Sequence, residues 1–336
     1  MQVLIHDGKK VKYVAKRLKA LQKVKGHVLG GKLVVTQSLS TGMALVMEAC
    51  ADGEAADQPL VPGVLEQARQ LTSGPRLHVV DRGFCDLELP GLFTDENDHF
   101  VMRWHRKVKF HRDESRKAQP GKDRYGRPYE QDWGWIGGER DSRRRYVRRI
   151  WLKRSAASED VILLTDLEAA QRYPADDLLQ VYLERWGIER MFQQVTEVFQ
   201  LQALIGSTPE ATVFQASFCF LLYNMIQVIR AYVAQGAELG LREVSNELLF
   251  YDVRRQLVAW NEVLKATATV RLLSTSWTAA QVTRRLRELL RGAWTERWRK
   301  SPSNTHRSPP SKSKQYLEGG HTSVYRLLQK LRRTPG

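Results

Sequence analysis

Runs of apolar residues divide the chain into a strand-rich first half and a helical second half. Short apolar runs bounded by Gly, Pro or polar residues are typical of strands. We predict five strands in the first third of the chain, at residues 2–6, 32–40, 43–50, 76–81 and 99–105. Apolar residues spaced by three and four predict one helix before the fourth strand and a shorter helix after it, at residues 57–73 and 84–92.

The pattern changes after residue 105. Residues 106–172 are polar and contain several glycines, and within them we predict two further strands, at residues 143–154 and 160–167. From Pro174 onward the spacing of apolar residues is helical, and we predict helices at residues 175–200, 210–235, 241–265, 279–300 and 322–333. The stretch 301–315 has low complexity and is expected to be disordered.

The order of the predicted elements indicates a fold class. Three strands, a helix, a strand, a second helix, a fifth strand and then a long helix follow one another in ribonuclease H-like folds. We therefore predict an α/β, RNase H-like (retroviral-integrase-like) mixed sheet with a β-rich insertion and a helical C-terminal region. The predicted divisions are a core formed by 1–105 and 173–235, an insertion at 106–172, a helical region at 236–300 and a basic tail at 301–336.

Several features of the sequence indicate a cytoplasmic protein without membrane association. The most apolar run, 213–234, is interrupted by polar residues and by Arg230, which favours a core helix over a membrane span. The first ten residues lack the apolar segment of a signal peptide. Cys50, Cys85 and Cys219 are widely separated and odd in number, as expected of reduced thiols.

The net charge of +16 is concentrated in two segments. Residues 103–154 contain 18 Lys and Arg against 7 Asp and Glu, and residues 284–336 contain 14 against 3. The remainder of the chain is mildly acidic. This distribution favours a polyanionic partner bound through particular surfaces, with an affinity that falls as salt rises. The alternative is a solvated basic surface without a partner.

Three carboxylates fall at positions where the predicted fold would bring them together. Asp7 follows the first strand, Asp81 ends the fourth, and Glu189 lies on the helix after the fifth. Converging oxygen donors favour two Mg²⁺ or Mn²⁺ ions, which support phosphodiester chemistry. Asp52 is the rival first ligand, although it follows the wrong strand. The alternatives are that Asp7 belongs to an Asp-Gly turn and that Asp81 caps the next helix.

One helical stretch, "YLERWGIERMFQQVTE", places a phenol, a guanidinium and a carboxylate on one face. Tyr182, Arg185 and Glu189 are spaced by three and four residues. Tyr182 is either a core aromatic or a DNA contact. Arg185 is an ion-pair partner of Glu189, a ligand of a DNA phosphate, whose oxygens its planar fork can hold, or both, since the two roles are compatible.

These residues together resemble bacterial insertion-sequence DDE transposases of the insertion-sequence-4 type. The segment "HVVDRGFCD" resembles the block around the second aspartate of that group, and "IHDGKK" is similar to the block around the first. Tyr182, Arg185 and Glu189 match the signature Tyr-x-x-Arg-x-x-x-Glu-x-x-x-x-x-x-Lys, but Thr196 stands in place of the lysine. Because almost nothing precedes Asp7, the resemblance also leads us to expect an N-terminally truncated copy.

The resemblance implies an activity and a set of partners. Such enzymes cut DNA at the ends of the element and transfer the freed 3′ end to target DNA, using Asp7, Asp81 and Glu189 to hold the metal ions. It implies binding of double-stranded DNA at transposon ends and target, a homodimer when assembled on DNA, and association with the bacterial nucleoid. The alternatives are an RNase H-like nuclease that only hydrolyses nucleic acid, and an inactive DNA-binding remnant.

The insertion at 106–172 supplies the remaining candidate DNA contacts. Trp133 and Trp135 lie among cations and glycines, where an aromatic ring can stack on an unpaired base. In similar transposases a tryptophan of the insertion receives a flipped base, but core packing is an equal alternative for each ring. The predicted phosphate contacts of the insertion are Arg143, Arg144, Arg145, Arg148 and Arg149.

Overall fold

The computed structural model describes residues 1–12, 14–26, 28–154, 159–198, 206–263, 278–300 and 322–333. The predicted low-complexity stretch at 301–315 lies outside them. The chain divides into two compact units, the first formed by Met1–Phe218 with Glu318–Gly336 and the second by Cys219–Leu317.

The first unit is built on a large mixed sheet. Its strands are β1 (Gln2–Val11), β2 (Val28–Leu29), β3 (Gly31–Ser38), β4 (Ala44–Cys50), β5 (Arg76–Val80), β6 (His99–Arg103), β7 (Phe110–Arg112), β8 (Gln119–Lys122), β9 (Pro128–Ile136), β10 (Arg145–Leu152), β11 (Val161–Thr165) and β12 (Thr322–Ser323). The order across the sheet is β4-β3-β1-β5-β6-β11-β10-β9-β7, with β8 paired to β9. β2 and β12 form a separate parallel pair.

The predicted first five strands are β1, β3, β4, β5 and β6, and they are neighbours in the sheet. β1 pairs parallel with β5, and β5 pairs parallel with β6. β3 is antiparallel to both β1 and β4. The strands of the insertion continue the same sheet, because β11 pairs antiparallel with β6 and leads to β10 and β9.

The helices lie mainly in the second half of the chain, as predicted. They are α1 (Lys19–Gln22), α2 (Val61–Leu71), α3 (Leu89–Phe93), α4 (Ala175–Glu184), α5 (Trp186–Gln193), α6 (Pro209–Gly236), α7 (Asn246–Val263), α8 (Ala279–Arg291) and α9 (Val324–Arg333). The predicted single helix at 175–200 is interrupted at Arg185, and a π-helical turn, Gln194–Val198, follows α5. By length and composition α6 is able to cross a membrane, a test that core helices of soluble proteins also pass.

The first strand is longer than predicted, and this corrects the place of Asp7. β1 continues past the Asp-Gly pair to Val11 and stays paired with β3 along its whole length. Gly8 is needed for close packing, because a Cβ atom there would lie 2.0 Å from a carboxylate oxygen of Asp57. Asp57 makes no cap hydrogen bond and pairs instead with Lys32 at 2.8 Å. Because Asp7 and Gly8 are both paired with β3, the Asp-Gly turn alternative is wrong.

Three strands of the insertion, β7, β8 and β9, are missing from the sequence prediction. Their residues are mostly polar, so no apolar run marks them. They form because β9 pairs with three neighbours, β7, β8 and β10, and its peptide groups are satisfied within the sheet.

The two faces of the central sheet are covered by different helices. Adjacent residues of β1 project to opposite faces, as in any strand. On one face, α2 packs against β3 and β4, and a buried cluster includes Leu4, Val34, Leu65 and Phe93. On the other face α5 packs against β1.

β12 and α9 attach the last described residues to the segment between β1 and β3. Val324 of α9 is fully buried and clusters with Val14, Leu21 and Val28. The pairing of β12 with β2 continues this contact at the backbone level. The predicted amphipathic helix at 322–333 is confirmed, and its apolar face covers residues 14–28.

The second unit is helical. α7 contacts the 3-10 turn Glu296–Trp298 that follows α8, and Trp298 is buried there with its indole nitrogen donating to Asp252 at 2.8 Å. An isolated bridge between Val244 and Arg299 joins the two ends of this arrangement.

A chain of buried polar groups crosses the central strands on the face of the sheet that packs against α2. His6 Nδ1 lies 2.9 Å from the Thr36 hydroxyl, and His6 Nε2 lies 2.8 Å from His78 Nδ1. His78 Nε2 lies 3.2 Å from Asp98, whose other oxygen accepts from the Arg76 guanidinium at 3.0 Å. Both imidazoles are fully buried, and their hydrogen bonds to neighbouring strands give them a structural role.

Burial sets the protonation of this chain of groups. Burial, reinforced by the neighbouring His78, holds the pKa of His6 well below its usual value. Burial also lowers the pKa of His78, although Asp98 opposes the shift. Burial disfavours the charged form of Asp98, but hydrogen bonds from His78, Arg76 and Arg69 lower its pKa to about 2.

The buried imidazoles predict a loss of stability in weak acid. Below about pH 6.5 histidines of the unfolded chain become protonated, whereas burial keeps His6 and His78 of the folded protein neutral. The free energy of unfolding therefore decreases as the pH is lowered. One pH unit below that value, we expect a loss of about 1 kcal/mol for each histidine. Urea unfolding at pH 7.5 and 5.5 measures it. His6→Gln should reduce the pH dependence, and His111→Gln, at an exposed site, should not. Equal pH dependence in parent and His6→Gln would contradict the interpretation.

Candidate active site

Asp7 and Asp81 lie side by side at one edge of the β1/β5 ladder. The last paired residues of this parallel ladder are His6 and Val80. Each aspartate is therefore the next residue along its strand, and parallel strands place such residues at the same edge. Asp81 makes no helix-cap hydrogen bond, so the capping alternative is wrong. The predicted proximity of the two carboxylates is confirmed.

α4 and α5 bring the third carboxylate to this edge. Tyr182 lies in the last turn of α4, Arg185 lies between the two helices, and Glu189 lies in the first turn of α5. The spacing of three and four residues keeps the side chains on one face, as predicted. This face points toward the carboxylates of β1 and β5.

The guanidinium of Arg185 lies at the centre of the three carboxylates. Its Nη2 atom donates to Glu189 Oε1 at 3.0 Å and lies 4.0 Å from Asp81 Oδ2, and its Nη1 atom donates to Asp7 Oδ2 at 3.4 Å. Only 4% of its side chain is exposed. The ion-pair alternative for Arg185 is thus realised, and it extends to all three acids. In this arrangement the guanidinium is buried, and its Nε atom has no hydrogen-bond partner among the described residues.

Tyr182 fixes the position of Asp81. Its hydroxyl donates to Asp81 Oδ1 at 2.9 Å, and its ring is buried. Burial, and then the charge of Asp81, raise the pKa of Tyr182 to about 12. The phenol therefore stays protonated and remains a donor at physiological pH. The core alternative holds for the ring, while the hydroxyl belongs to the site.

Asp7 is the carboxylate whose ionisation is least favourable. Burial is the main cause that raises its pKa to about 6. Arg185 and the backbone N–H of Gly8 act in the opposite direction, while Glu189 and Asp81 add to the rise. A buried carboxylate beside two others is a site that favours a cation.

The donor chemistry fits a hard divalent cation, but Arg185 keeps the donors apart. Three carboxylates are suitable ligands for Mg²⁺ or Mn²⁺. Within the described residues, however, no group of three or more His, Cys, Asp or Glu is close enough to hold an ion as arranged. The rival ligand Asp52 pairs with Arg326 of α9 at 2.8 Å and is not part of the cluster. Asp7 is therefore the better candidate.

The structure separates the two tryptophans of the insertion. Trp133 is fully buried, its indole nitrogen donates to the Glu168 carbonyl at 3.0 Å, and the Arg116 guanidinium lies 3.5 Å from its ring centre. This burial leaves no ring face for a base, so the core alternative holds for Trp133. Trp135 is half-buried and packs against Arg144 and Tyr146, at 4.3 and 4.9 Å.

The five arginines predicted to contact DNA have different environments. Arg148 is fully buried and donates to Gln131 at 2.9 Å and to the Tyr173 carbonyl at 2.6 Å. Burial lowers its pKa to about 10. Its predicted DNA contact is corrected to a structural role. Arg149 is held by Asp132 at 2.9 Å.

The other three arginines lie closer to solvent. Arg144 is half-buried against Trp135, and Arg145 is exposed. Arg143 is also exposed, although it pairs with Asp141 at 3.0 Å. Exposed guanidinium groups are the ones that a DNA backbone is able to reach. Arg143 and Arg145 are thus the members of the predicted set with the most accessible charge.

A cavity of about 470 Å³ begins beside Asp81 and was not identified from the sequence. Its lining includes Arg82, Arg103, Arg106 and Trp104, and Glu159 lies across it. Glu159 is 65% exposed and binds Arg82 at 2.9 Å and Arg103 at 2.8 Å. The sequence does contain a signal for this cavity, because Arg82 directly follows Asp81 and Arg103 ends the adjacent strand β6.

Comparisons with known proteins identify similar proteins and a family. One curated relative is the probable transposase for insertion sequence element IS5377 of Geobacillus stearothermophilus. It is 23% identical over 183 residues, which are 54% of this chain and 47% of that protein. The chain therefore spans about half the length of this relative.

A solved structure of piggyBac transposase, a synaptic complex with hairpin DNA determined by cryo-EM, is similar at 12% identity with a TM-score of 0.41. The similarity covers 92% of this chain and 60% of that chain, and it is too distant to carry an argument.

A protein family described as "Transposase DDE domain" matches residues 1–225. These residues include Asp7, Asp81, Tyr182, Arg185 and Glu189, and they form most of the chain. The protein belongs to the transposase DDE domain family.

Proposed function

We propose that this protein is a DNA transposase of a bacterial insertion sequence, of the insertion-sequence-4 type, that cuts and transfers DNA strands by a metal-dependent DDE mechanism. The observation that carries the proposal is the convergence of Asp7, Asp81 and Glu189 on a single guanidinium. Three acids from distant segments are brought together at the edge of a sheet, where their mutual repulsion is costly. Such an arrangement is typical of a site that serves chemistry.

The strand arrangement supports the RNase H-like assignment of the fold. The sheet order is β4-β3-β1-β5-β6, and β3 alone runs antiparallel to the other four strands, as expected of the predicted fold. In this arrangement the insertion strands extend the sheet beyond β6, away from β1. The catalytic acids therefore lie on the central strands and on the helix that crosses them.

We assign the metal ligands to Asp7, Asp81 and Glu189. Two Mg²⁺ or Mn²⁺ ions bound there would activate the attacking oxygen and stabilise the leaving oxygen of the phosphodiester. Tyr182 orients Asp81 through its hydroxyl. Arg185 neutralises the acids in the arrangement described above, so binding of a cation requires the guanidinium to withdraw from them.

The partner that fits the charge distribution is double-stranded DNA, both element ends and target. The accessible cations are the exposed arginines of the insertion and the arginines that line the cavity beside Asp81. A homodimer assembled on DNA would place its two active sites on two element ends. An RNase H-like nuclease would give hydrolysis products alone. Incubation with Mn²⁺ and DNA that flanks the reading frame distinguishes these functions, because only a transposase yields strand-transfer products.

The ligand assignment predicts that each acid is required for cleavage. Asp7→Asn, Asp81→Asn and Glu189→Gln each remove a negative oxygen donor with almost no change in volume. We expect each variant to fold and to lose at least about a hundredfold in cleavage rate, measured on labelled DNA with Mn²⁺. Asp52→Asn is the matched control and should cleave like the parent. Parental activity of Asp7→Asn would exclude Asp7 as a ligand.

The position of Arg185 predicts competition between the guanidinium and metal ions. Arg185→Met removes the charge and retains much of the length, so the metal-free protein should melt at a lower temperature. Mn²⁺ should then raise the melting temperature of the variant more than that of the parent, since a cation no longer displaces the guanidinium. Arg190→Met, at an exposed position on α5, is the control. Equal Mn²⁺ shifts in both variants would contradict the assignment.

The cavity beside Asp81 predicts that Glu159 limits DNA binding. Glu159→Gln removes the carboxylate that occupies Arg82 and Arg103 and frees both guanidiniums for phosphates. We expect tighter binding of duplex DNA and a salt dependence steeper by about one to two ionic contacts. Glu139→Gln, at another exposed glutamate of the insertion, makes the same charge change and is the control. If the two variants bind equally, the cavity does not contact DNA.

A further inference from the structure

Lys9 is the second cation of the candidate active site. It lies two residues after Asp7 on β1, so its side chain projects to the same face of the sheet. This is the face on which α5 packs. The Lys9 Nζ atom lies 5.5 Å from the ring centre of Phe192, which is three residues beyond Glu189 on α5.

The Lys9 ammonium differs from the Arg185 guanidinium in one respect. Arg185 reaches three carboxylates, whereas the Lys9 amine forms no hydrogen bond or ion pair with any of the described residues. Its neighbour within reach is an aromatic ring, which attracts a cation without consuming its hydrogen-bond donors. All three N–H donors of Lys9 are thus available to a ligand with acceptor oxygens.

The electrostatic surroundings of Lys9 are those of the acid cluster. Lys9 shares its strand with Asp7, and the ring that it contacts belongs to the helix that carries Glu189. The residue is half-buried and already close to the acids assigned to catalysis. A phosphate bound there would need little further desolvation of the lysine.

The residue at position 196, near the end of the helix that contacts Lys9, is uncharged. Thr196 stands at the last position of the spaced block, and its hydroxyl donates to the Phe192 carbonyl at 2.7 Å within the π-helical turn. It carries no charge toward the site. Phe192 lies four residues before Thr196, and its ring contacts Lys9.

We propose that the Lys9 ammonium binds a backbone phosphate of the DNA strand that is placed against Asp7, Asp81 and Glu189. This inference rests on the proposed function, since it specifies how the same site holds its substrate. The contact comes from the first strand of the sheet, which packs against the helix that carries Glu189.

Binding of duplex DNA to the full chain tests the proposal. Lys9→Gln should weaken binding of a labelled random duplex roughly tenfold, the loss expected for one charged hydrogen bond. The slope of log affinity against log salt should fall by about one. Lys10→Gln is the matched control, because Lys10 is the next residue, is exposed and projects to the opposite face. Lys9→Arg should retain the salt slope of the parent.

A charge swap distinguishes a phosphate contact from a structural effect. The double variant Lys9→Gln with Thr196→Lys should regain the affinity and salt slope lost in Lys9→Gln, because it returns one ammonium to the turn that follows Phe192. A structural defect at position 9 would not be restored from another element. Equal binding by Lys9→Gln and Lys10→Gln would overturn the proposal, and so would failure of the swap to restore the slope.

The outcomes separate this inference from the proposed function. If the parent cleaves DNA with Mn²⁺ and Lys9→Gln matches Lys10→Gln in binding and cleavage, the inference fails while the proposed function stands. If the parent neither cleaves nor binds the duplex at physiological salt, both fail together.

Discussion

The parallel pairing of β1 with β5 determines the geometry of the site. The two strands are buried on both faces, so their register is set by packing on each side. A shift of one residue would exchange the faces of His6 and Asp7. The imidazole would then leave its partner His78, and the carboxylate would enter the apolar cluster beneath the sheet. The buried polar chain and the carboxylate cluster therefore depend on the same register, from opposite faces.

The charge balance of the site follows from this constraint. Burial disfavours the charged form of Asp7, and a single guanidinium contacts this acid together with Asp81 and Glu189. Asp7 is the most affected, since its pKa of about 6 lies close to physiological pH. Such a cluster is stable only with a cation at its centre, whether a side chain or an ion. Arg185 thus serves as an internal counter-ion.

Much of this arrangement is visible in the sequence, and the exceptions have identifiable causes. The order of the first five strands and the place of Asp81 follow from apolar runs and turn residues. The extension of β1 does not, because Asp-Gly is typical of a turn and only pairing with β3 decides the matter. The central position of Arg185 depends on tertiary contacts, since spacing along a helix reveals one partner but not two others from distant strands. Trp133 has the same sequence environment whether it packs in a core or faces DNA.

The packing of α9 against the segment between β1 and β3 has a consequence for folding. β2 and β12 come from opposite ends of the described chain, and contacts of such long sequence separation form late in folding. Until then Leu21 and Val28, which belong to the segment joining β1 to β3, lack their apolar cover. A polypeptide that stops before residue 322 keeps this surface exposed and is a target for aggregation or proteolysis. The packing of α9 therefore protects the segment that follows the strand carrying Asp7 and Lys9.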